Sequence, residues 1–292
     1  MHLIYPTGIL SAHNGINVYR GCTHGCIYCD SRSECYQFDH PFEDVAVKTN
    51  APELLDQALR RKRSPVVVST GAMCDPYIPP EAELRLTRRC LEVVLRHGCG
   101  ATVQTKSDLV LRDLELLRQI HERAPASVQM TLTTADDALC RRVEPNVCPT
   151  SRRLEVLRAC RDAGLPTVVW ISPLLPFIND TEENLRALLT ACRDAGVMGF
   201  RMYGYGLTLR AGSREYYYTQ LDRRFPGLRS RYEQRFGRMY ELPSPNHLRL
   251  AEILEGFCDA HGLLYRHRDL DAALYAFHRR DAVQTSLFDA PR

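Results

Sequence analysis

Three cysteines near the start of the chain are spaced for metal chemistry. Cys22, Cys26 and Cys29 form a C-x3-C-x2-C array inside Tyr19–Asp30, and two glycines leave this stretch free to wrap tightly. Thiolates are soft ligands that select zinc, copper(I) or iron–sulfur clusters. A four-iron cluster normally takes four cysteines, so three thiolates would leave one iron open to a small molecule. The array therefore predicts an iron–sulfur centre.

A structural zinc site is the alternative for the same cysteines. Closed zinc sites take four ligands, usually from two separated pairs, and the sequence holds no second C-x2-C pair. His24 or Cys35 would have to supply the fourth ligand.

The cysteine array resembles the signature of the radical S-adenosylmethionine (radical SAM) superfamily, in which an aromatic residue, here Tyr28, precedes the last cysteine. Later segments resemble the spore photoproduct lyase-like branch, often labelled DNA repair photolyase, over residues 14–240. These segments are D-P-Y at 75–77, T-K-S-D at 105–108 and E-P at 144–145.

The resemblance implies a [4Fe-4S] cluster on the three cysteines, with S-adenosylmethionine (SAM) bound at its open iron. It also implies reductive cleavage of SAM to a 5'-deoxyadenosyl radical, which takes a hydrogen atom from a substrate. In such enzymes the cofactor carries the radical chemistry, and the protein supplies binding and orientation. A flavodoxin- or ferredoxin-type reductant is implied as a partner.

The composition is that of an ordinary globular protein. The 292 residues are 45% apolar and 25% charged, and the net charge is only +3, so the chain as a whole is not a strongly basic nucleic-acid binder. Residues 1–10 lack the features of a secretory signal, and no long apolar run occurs. Twelve cysteines in such a chain are typical of metal-binding, catalytic or core thiols in a reducing compartment. We expect a cytoplasmic protein without a membrane partner.

Strand-like and helix-like patterns alternate after the cysteine array. Strands are predicted over residues 15–20, 65–70, 101–105, 127–133, 167–172 and 199–203. Helices are predicted over residues 52–63, 81–97, 109–123, 151–163 and 181–195. The hexamer Ala159–Gly164 recurs as Ala191–Gly196, 32 residues later, which is about the length of one βα unit. The alternation predicts a parallel sheet with crossover helices.

The predicted fold is an α/β partial (β/α)6 barrel, which is also the fold that the radical SAM resemblance implies. We assign the barrel to residues 1–206, with the cluster loop at 20–30. A mainly helical C-terminal extension is predicted over 207–280, with helices at 244–261 and 269–280. A flexible tail follows over 281–292.

Cofactor-binding residues are expected at the carboxyl ends of the strands, where parallel α/β folds bind ligands. The predicted set is Tyr28, Ser69, Thr70, Gly71, Lys106, Thr133, Thr134 and Ser172. By resemblance, the 69–71 segment meets the amino group of SAM, the lysine pairs with its carboxylate, and the two adjacent threonines reach its ribose. The alternative for each hydroxyl is structural, because such residues at a strand end often cap the next helix.

Three residues in the loop after the second strand are predicted to be catalytic: Cys74, Asp75 and Tyr77. Spore photoproduct lyases are thought to return a hydrogen atom from a cysteine in this loop, which suits a weak S–H bond. When the loops are matched on the aspartate, however, the lyase cysteine falls nearer Ala72 than Cys74. This departure argues against thymine-dimer reversal, and a shielded thiol is the alternative for Cys74.

Arg201, Tyr203 and Tyr205 are predicted substrate residues at the end of the sixth strand. They open a stretch over 201–238 with nine arginines and eight aromatic residues against three acids. Basic side chains that follow phosphates, together with aromatic faces for unstacked bases, are what extruded or single-stranded nucleic acid needs. The alternative is that the aromatic residues form a core and the arginines are solvated.

The sequence ends with Q-x-x-L-F at Gln284, Leu287 and Phe288, which resembles the bacterial sliding-clamp-binding peptide. A free tail with two adjacent large apolar side chains can order on binding a partner. The alternative is that the two side chains fold back onto the barrel.

The sequence therefore predicts a radical SAM enzyme that acts on DNA, in or near repair. One alternative is a radical SAM enzyme with a peptide or RNA substrate. The other is a non-catalytic iron–sulfur or zinc protein that associates with DNA.

Overall fold

The fold is known from a computed structural model, which describes residues 1–277. In this range the strands are β1 (His2–Ile4), β2 (Gly15–Ile16), β3 (Tyr19–Arg20), β4 (Ala46–Lys48), β5 (Val67–Thr70), β6 (Gly100–Thr105), β7 (Ala126–Thr131), β8 (Thr167–Trp170), β9 (Gly199–Arg201), β10 (Gly206–Thr208) and β11 (Glu241–Pro243).

The α-helices of the same range are α1 (Ala51–Arg60), α2 (Glu81–Leu84), α3 (Leu86–Arg96), α4 (Leu114–His121), α5 (Asp137–Val143), α6 (Thr150–Asp162), α7 (Glu182–Ala195), α8 (Ser213–Arg224), α9 (Leu228–Phe236), α10 (His247–His261) and α11 (His267–Tyr275). Short 3-10 helices lie at Asp30–Arg32, Glu34–Tyr36 and Asp108–Asp113.

The predicted parallel sheet is confirmed. Six strands pair in the order β2-β5-β6-β7-β8-β9, and every pairing is parallel. Val103, Val128 and Val169 on three central strands are fully buried, as expected for strands covered by crossover helices. Because all six strands run the same way, their carboxyl ends meet at one edge, and this edge carries the site described below.

The first predicted strand, over 15–20, is wrong as a single element. β2 pairs with β5 in the main sheet, whereas β3 pairs with β4 in a small sheet of order β1-β4-β3. The chain changes partner between them because the Val18 carbonyl accepts from the Lys48 N–H at 3.0 Å, while Asn17 Oδ1 accepts from the Met73 N–H at 3.3 Å. The small sheet therefore leads the chain into the cysteine loop.

Two predicted helices are interrupted. The helix over 81–97 breaks at Arg85, whose φ of 51° is left-handed, because the Glu81 carboxylate accepts from the N–H groups of Thr87 and Arg88 at 3.0 and 3.3 Å and so starts α3 anew. The helix over 109–123 opens instead as the 3-10 turn that precedes α4.

The hexamer repeat marks two helix ends, as predicted. Gly164 after α6 and Gly196 after α7 have φ values of 70° and 84°, which glycine adopts without strain at a helix C-terminus. Each is followed by a strand of the main sheet.

The C-terminal part combines helices with an antiparallel β10–β11 pair. The predicted helix over 244–261 corresponds to α10, and α11 begins at His267, two residues before its predicted start. The predicted boundary at residue 206 stays a prediction. Within residues 1–277, we find no helix with the length and apolar character that crossing a membrane requires.

Candidate active site

The three cysteines of the array share one small cavity. Cys22, Cys26 and Cys29 all line a cavity of about 130 Å³ at the carboxyl ends of β5 and β6. Cys22 and Cys26 are 8% and 7% exposed. The loop after β3 therefore brings three thiols together in a space that is largely shielded from water.

One side of the cysteine loop rests on the backbone of residues 42–45. Gly21 has a φ of 92°, and a Cβ at this position would lie 2.4 Å from the Phe42 carbonyl oxygen. The next residue, Cys22, donates its N–H to that same oxygen at 3.1 Å. Only glycine allows this approach, so the loop needs Gly21 to bring Cys22 into the cavity.

The other side of the loop is held by the residues that follow α5. Asn146 donates its N–H to the His24 carbonyl at 3.1 Å and its side-chain amide to the Thr23 carbonyl at 2.8 Å. Gly25 faces the same segment, where a Cβ would lie 3.1 Å from the Asn146 side chain. The loop is therefore fixed on both sides before any ligand binds.

A buried ion pair supports the segment that carries the cysteines. Glu144 and Arg153 are fully buried and meet at 2.6 Å, and the Tyr28 hydroxyl donates to the second Glu144 oxygen. Burial alone would raise the pKa of Glu144, but the charges of Arg153 and Lys106 outweigh it and keep the pKa below its ordinary value. Tyr28 is thus held between Cys26 and Cys29 by a charge-assisted hydrogen bond.

Asp75 connects the loop after β5 to the end of β6. Its carboxylate accepts from the Thr105 hydroxyl at 2.7 Å, from the Lys106 N–H at 2.7 Å and from the Tyr77 N–H at 2.9 Å. It also faces His24 Nδ1 at 3.5 Å. Burial would lower the pKa of His24, but Asp75 and Cys22 raise it above its ordinary value.

A second, larger cavity of about 520 Å³ adjoins the cysteine cavity. Six residues line both cavities: Cys29, Ser31, Ala72, Gln104, Lys106 and Thr131. Burial would lower the pKa of the Lys106 ammonium, but Cys26, Glu144 and Asp75 raise it. A cation therefore lies at the junction of the two cavities.

One wall of the larger cavity is aromatic. Trp170 at the end of β8 packs against Tyr203, with ring centroids 5.1 Å apart, and Tyr203 packs against His267 at 4.4 Å. Tyr203 is 56% exposed. The Trp170 indole N–H donates to Gln129 Oε1 at 2.6 Å, which fixes the ring. The wall thus offers an aromatic surface on which Tyr203 is partly accessible to a ligand.

Comparison with known proteins identifies the family. The radical SAM superfamily model matches residues 16–189. The chain belongs to the radical SAM superfamily. Its catalytic class follows from this membership: it is a radical SAM enzyme.

Individual relatives and solved structures are similar to much of the chain. The uncharacterized protein Rv2578c of Mycobacterium tuberculosis is 33% identical over 285 residues, which cover 94% of this chain and 81% of the relative. A spore photoproduct lyase mutant with bound AdoMet and dinucleoside spore photoproduct matches with a TM-score of 0.60 at 14% identity, covering 85% of this chain and 74% of that one. Streptococcus suis SuiB bound to its precursor peptide SuiA matches with a TM-score of 0.51 at 13% identity, covering 93% and 50%. The two structural similarities show the shared fold.

Four of the eight predicted radical SAM cofactor residues line one or both cavities. Gly71 lines the cysteine cavity, Tyr28 and Ser172 line the larger one, and Lys106 lines both. Gly71 has a φ of 103°, and a Cβ there would lie 2.1 Å from the Gln104 carbonyl oxygen, so only glycine lets this loop cross β6 closely. These four positions are compatible with their predicted role.

The remaining four cofactor predictions do not reach the described cavities. Ser69 and Thr70 lie within β5, and the loop that follows them, over 71–75, lines the cavity instead. Thr133 and Thr134 are buried beyond the end of β7: the Thr133 carbonyl accepts from Asn179 and Asn184, and Thr134 Oγ1 accepts from the Asp136 N–H.

Thr131 and Gln104 are polar residues at the cavities that sequence reasoning did not name. Both residues line both cavities. Sequence reasoning missed Thr131 because the strand over 127–133 was drawn two residues too long, and it missed Gln104 because this residue falls inside the strand over 101–105, whereas candidates were sought after the strand ends. Trp170 was also missed, although it is the one tryptophan in the sequence and falls at a strand end.

Two of the three predicted catalytic residues line the cysteine cavity, and the third does not. Cys74 lines the cysteine cavity and donates its thiol to the Gly21 carbonyl at 2.8 Å. Its hydrogen bond to Cys22 raises the pKa of Cys74 and lowers that of Cys22. Asp75 lines the same cavity. Tyr77, in contrast, is buried with its hydroxyl on Asp113 at 3.0 Å, so its position is structural and the catalytic prediction for it is not supported.

The predicted substrate residues lie around the aromatic wall. Tyr203 and Tyr205 line the larger cavity. Arg201 is buried behind it, paired with Asp271 at 2.6 Å and with its guanidinium 5.5 Å from the Trp170 ring centroid. Arg201 therefore supports the wall instead of presenting a free charge to a ligand.

Half of the aromatic residues in the 201–238 stretch form a core, as the alternative interpretation had it. Tyr217, Tyr218, Tyr232 and Phe236 are buried in one apolar cluster, where the hydroxyls of Tyr217 and Tyr232 meet at 2.9 Å. Their rings are unavailable for stacking on bases. The composition of this stretch is therefore weak support for nucleic-acid binding.

The predicted clamp-binding residues Gln284, Leu287 and Phe288 lie outside the described residues.

Proposed function

We propose that this radical SAM enzyme holds a [4Fe-4S] cluster on Cys22, Cys26 and Cys29 and acts on a nucleobase of DNA. One observation carries the proposal: the cavity with the three thiols shares lining residues with a larger cavity that has an aromatic wall. The first cavity has the donors for a cluster with an open iron. The second has aromatic side chains of the kind that stack on an extruded base.

Family membership favours a cluster over closed zinc, because the radical SAM superfamily model matches residues 16–189, which include the cysteine array. Cys35, one of the two alternative fourth ligands, contacts Arg210 at 3.3 Å and does not line the cysteine cavity among the described residues. His24 does line it, with Nδ1 facing Asp75, an arrangement that leaves Nε2 available to a metal. Three thiolates from the array on a four-iron cluster would leave one iron open to a small molecule.

When bound, such a cluster supplies the electron that breaks the S–C5' bond of SAM, giving methionine and a 5'-deoxyadenosyl radical. The protein's part is to place SAM. Lys106 lies beside the cysteines and presents the cation that a SAM carboxylate requires. Gln104 and Thr131, which also line both cavities, offer hydrogen bonds to the nucleoside.

The aromatic wall supports a base as the reacting group. Stacking of one base on an aromatic side chain contributes about 1–3 kcal/mol and tolerates different sequences. Tyr203 is exposed enough to meet a base, and its contact with Trp170 orients the ring. The lyase that shares the fold was solved with a dinucleoside photoproduct, which makes a nucleic-acid lesion our first choice of substrate.

A peptide substrate is the second candidate. The larger cavity is also lined by two carboxylates: Glu241, and Asp30, which pairs with Arg210 at 3.5 Å. Glu241 would repel phosphates and attract amines or guanidinium groups. SuiB, which shares the fold, was solved with a precursor peptide.

A substrate test separates the two candidates. We expect single-stranded DNA carrying ultraviolet lesions to raise 5'-deoxyadenosine formation, and Trp170→Ala with Tyr203→Ala to weaken DNA binding by at least tenfold. Tyr5→Ala, at an exposed aromatic residue outside both cavities, is the matched control. Stimulation by basic peptides and indifference to DNA would favour the second candidate.

Cys74 as a hydrogen-atom donor remains part of this proposal. Its thiol lies in the cysteine cavity but is not among the residues that line the larger one. If Cys74 returns the hydrogen atom, Cys74→Ala will leave SAM cleavage intact while the repaired base fails to accumulate. Loss of SAM cleavage itself would instead assign the thiol to support of Cys22.

Partners and location are also proposed. A flavodoxin- or ferredoxin-type reductant would supply the electron, and the enzyme would work in the cytoplasm. A peptide covering residues 281–292 is expected to bind the bacterial sliding clamp, and the paired changes Leu287→Ala and Phe288→Ala are expected to remove that binding. No detectable binding by the intact peptide would refute the clamp partner.

A further inference from the structure

A second group of metal-ligating side chains lies near the start of the chain. One ligand atom each from His2, His40 and Asp44 lies within 4.8 Å of the others. None of the three lines either cavity of the active site in the described part of the chain. We propose that these residues bind one divalent transition metal ion of the zinc class.

The spacing is close to what such an ion needs. Zinc binds imidazole nitrogen and carboxylate oxygen at about 2.0–2.2 Å in tetrahedral geometry, which puts neighbouring ligand atoms about 3.3 Å apart. His2 Nδ1 and Asp44 Oδ2 are already 3.0 Å apart. The third ligand atom, from His40, needs to close by at most about 1.5 Å.

His40 is prepared for metal binding by its backbone contact. Its Nδ1 lies 3.0 Å from the Pro41 carbonyl oxygen, so Nδ1 carries the hydrogen and Nε2 keeps a free lone pair. Metal-binding histidines almost always donate their other ring N–H to a carbonyl or a carboxylate in this way. The His40 ring is also held by edge contacts with Phe38 and with the His2 ring, and its side chain is only 12% exposed.

Two carboxylates and one ammonium surround the group. Asp44 Oδ1 contacts the Met1 amino group, and Asp44 Oδ2 lies 3.0 Å from His2 Nδ1, where the ion would replace a shared hydrogen. Asp39 lies 3.9 Å from His40 Nε2 and adds a second carboxylate at the rim. Two imidazoles and one carboxylate suit zinc better than magnesium or calcium, which prefer all-oxygen sites.

The position in the fold gives the ion a structural role. His2 is on β1, whereas His40 and Asp44 are on the segment before β4. This segment includes Phe42, whose carbonyl oxygen accepts from Cys22 and approaches Gly21 closely. An ion that joins β1 to this segment would brace the support of the cysteine loop.

Zinc binding is tested on the full chain without an added tag, with the cluster cysteines replaced by Cys22→Ser, Cys26→Ser and Cys29→Ser so that they cannot take the ion. Titration against a chromophoric chelator is expected to show one zinc per chain. His40→Ala is expected to weaken binding at least tenfold. His97→Ala is the matched control, because His97 pairs with Asp56 at 2.9 Å but belongs to no group of three possible ligands among the described residues.

A second variant distinguishes loss of the zinc site from misfolding of the chain. His2 is more exposed than His40, with 39% of its side chain accessible, so His2→Ala should keep the far-ultraviolet circular dichroism of the parent and still lose zinc. No zinc at one equivalent, or equal affinity in the His40→Ala and His97→Ala chains, would overturn the site. Because the cluster cysteines are absent from this experiment, its outcome is independent of the proposed radical SAM activity.

Discussion

The buried pair of Glu144 and Arg153 gives the sharpest test of how the cysteine loop is held. Both side chains are fully buried and meet at 2.6 Å. Glu144→Gln keeps the shape and the contact with Tyr28 but removes the negative charge. Arg153 retains hydrogen bonds to the Cys148 and Thr131 carbonyls, both at 2.9 Å, yet its charge is left without a counterion.

Removing one partner of a buried ion pair costs about 3–5 kcal/mol. For a chain of this size each kcal/mol corresponds to about 2 °C in melting temperature, so we expect cluster-free Glu144→Gln to melt about 6–10 °C below the parent. The double change Glu144→Leu with Arg153→Met should recover much of this loss, because an apolar pair leaves no unpaired charge.

The assay is thermal unfolding of the cluster-free proteins, followed by circular dichroism. Glu115→Gln is the control, because Glu115 forms an exposed pair with Arg118 at 2.9 Å and such pairs add little to stability. Iron retained after reconstitution should fall in Glu144→Gln but not in Glu115→Gln. Equal melting temperatures for these two variants would refute the idea that the buried pair supports the loop.

Three further predictions concern single residues. Lys106→Met should weaken SAM binding at least tenfold in equilibrium dialysis, whereas Lys62→Met, at an exposed lysine, should not; equal affinities would remove the carboxylate contact. Gly71→Ala should destabilise the cluster-free protein far more than Gly98→Ala, because both glycines have positive φ but only Gly71 would place its Cβ against a neighbouring carbonyl; similar urea midpoints would contradict this. Burial raises the pKa of the Cys160 thiol to about 12, above its ordinary value near 9, so the protonated thiol stabilises the fold fully below pH 9 and this contribution is lost between pH 9 and 12. Over that interval, the free energy of unfolding of Cys160→Ala should therefore fall less steeply with pH than that of the parent. Parallel plots of unfolding free energy against pH would contradict this prediction.

Sequence reasoning recovered the parts of the fold that local pattern determines. The strand and helix alternation gave the parallel sheet, and the repeated hexamer marked the ends of α6 and α7. The break at Arg85 was missed because it depends on where the Glu81 side chain points. A strand of two residues such as β2 has too few positions to show alternation, so its separation from β3 was also missed.

At the site, too, sequence reasoning recovered what local spacing determines and missed what depends on contacts between residues far apart in the sequence. The cysteine spacing alone placed three thiols in one cavity. Gln104, Thr131 and Trp170 could not be assigned from spacing, because their position depends on where each strand ends and which loop crosses it. The Glu144–Arg153 pair joins residues from two helical segments, and only the folded chain shows that it supports Tyr28.

The central claim is tested most directly by electron paramagnetic resonance of the anaerobically reconstituted and reduced protein, with and without SAM, together with product analysis. We expect a reduced [4Fe-4S] signal that shifts when SAM is added, formation of 5'-deoxyadenosine, and neither result in Cys26→Ala. Stoichiometric zinc on the three cysteines, or a cluster signal indifferent to SAM with no 5'-deoxyadenosine, would contradict the proposed function.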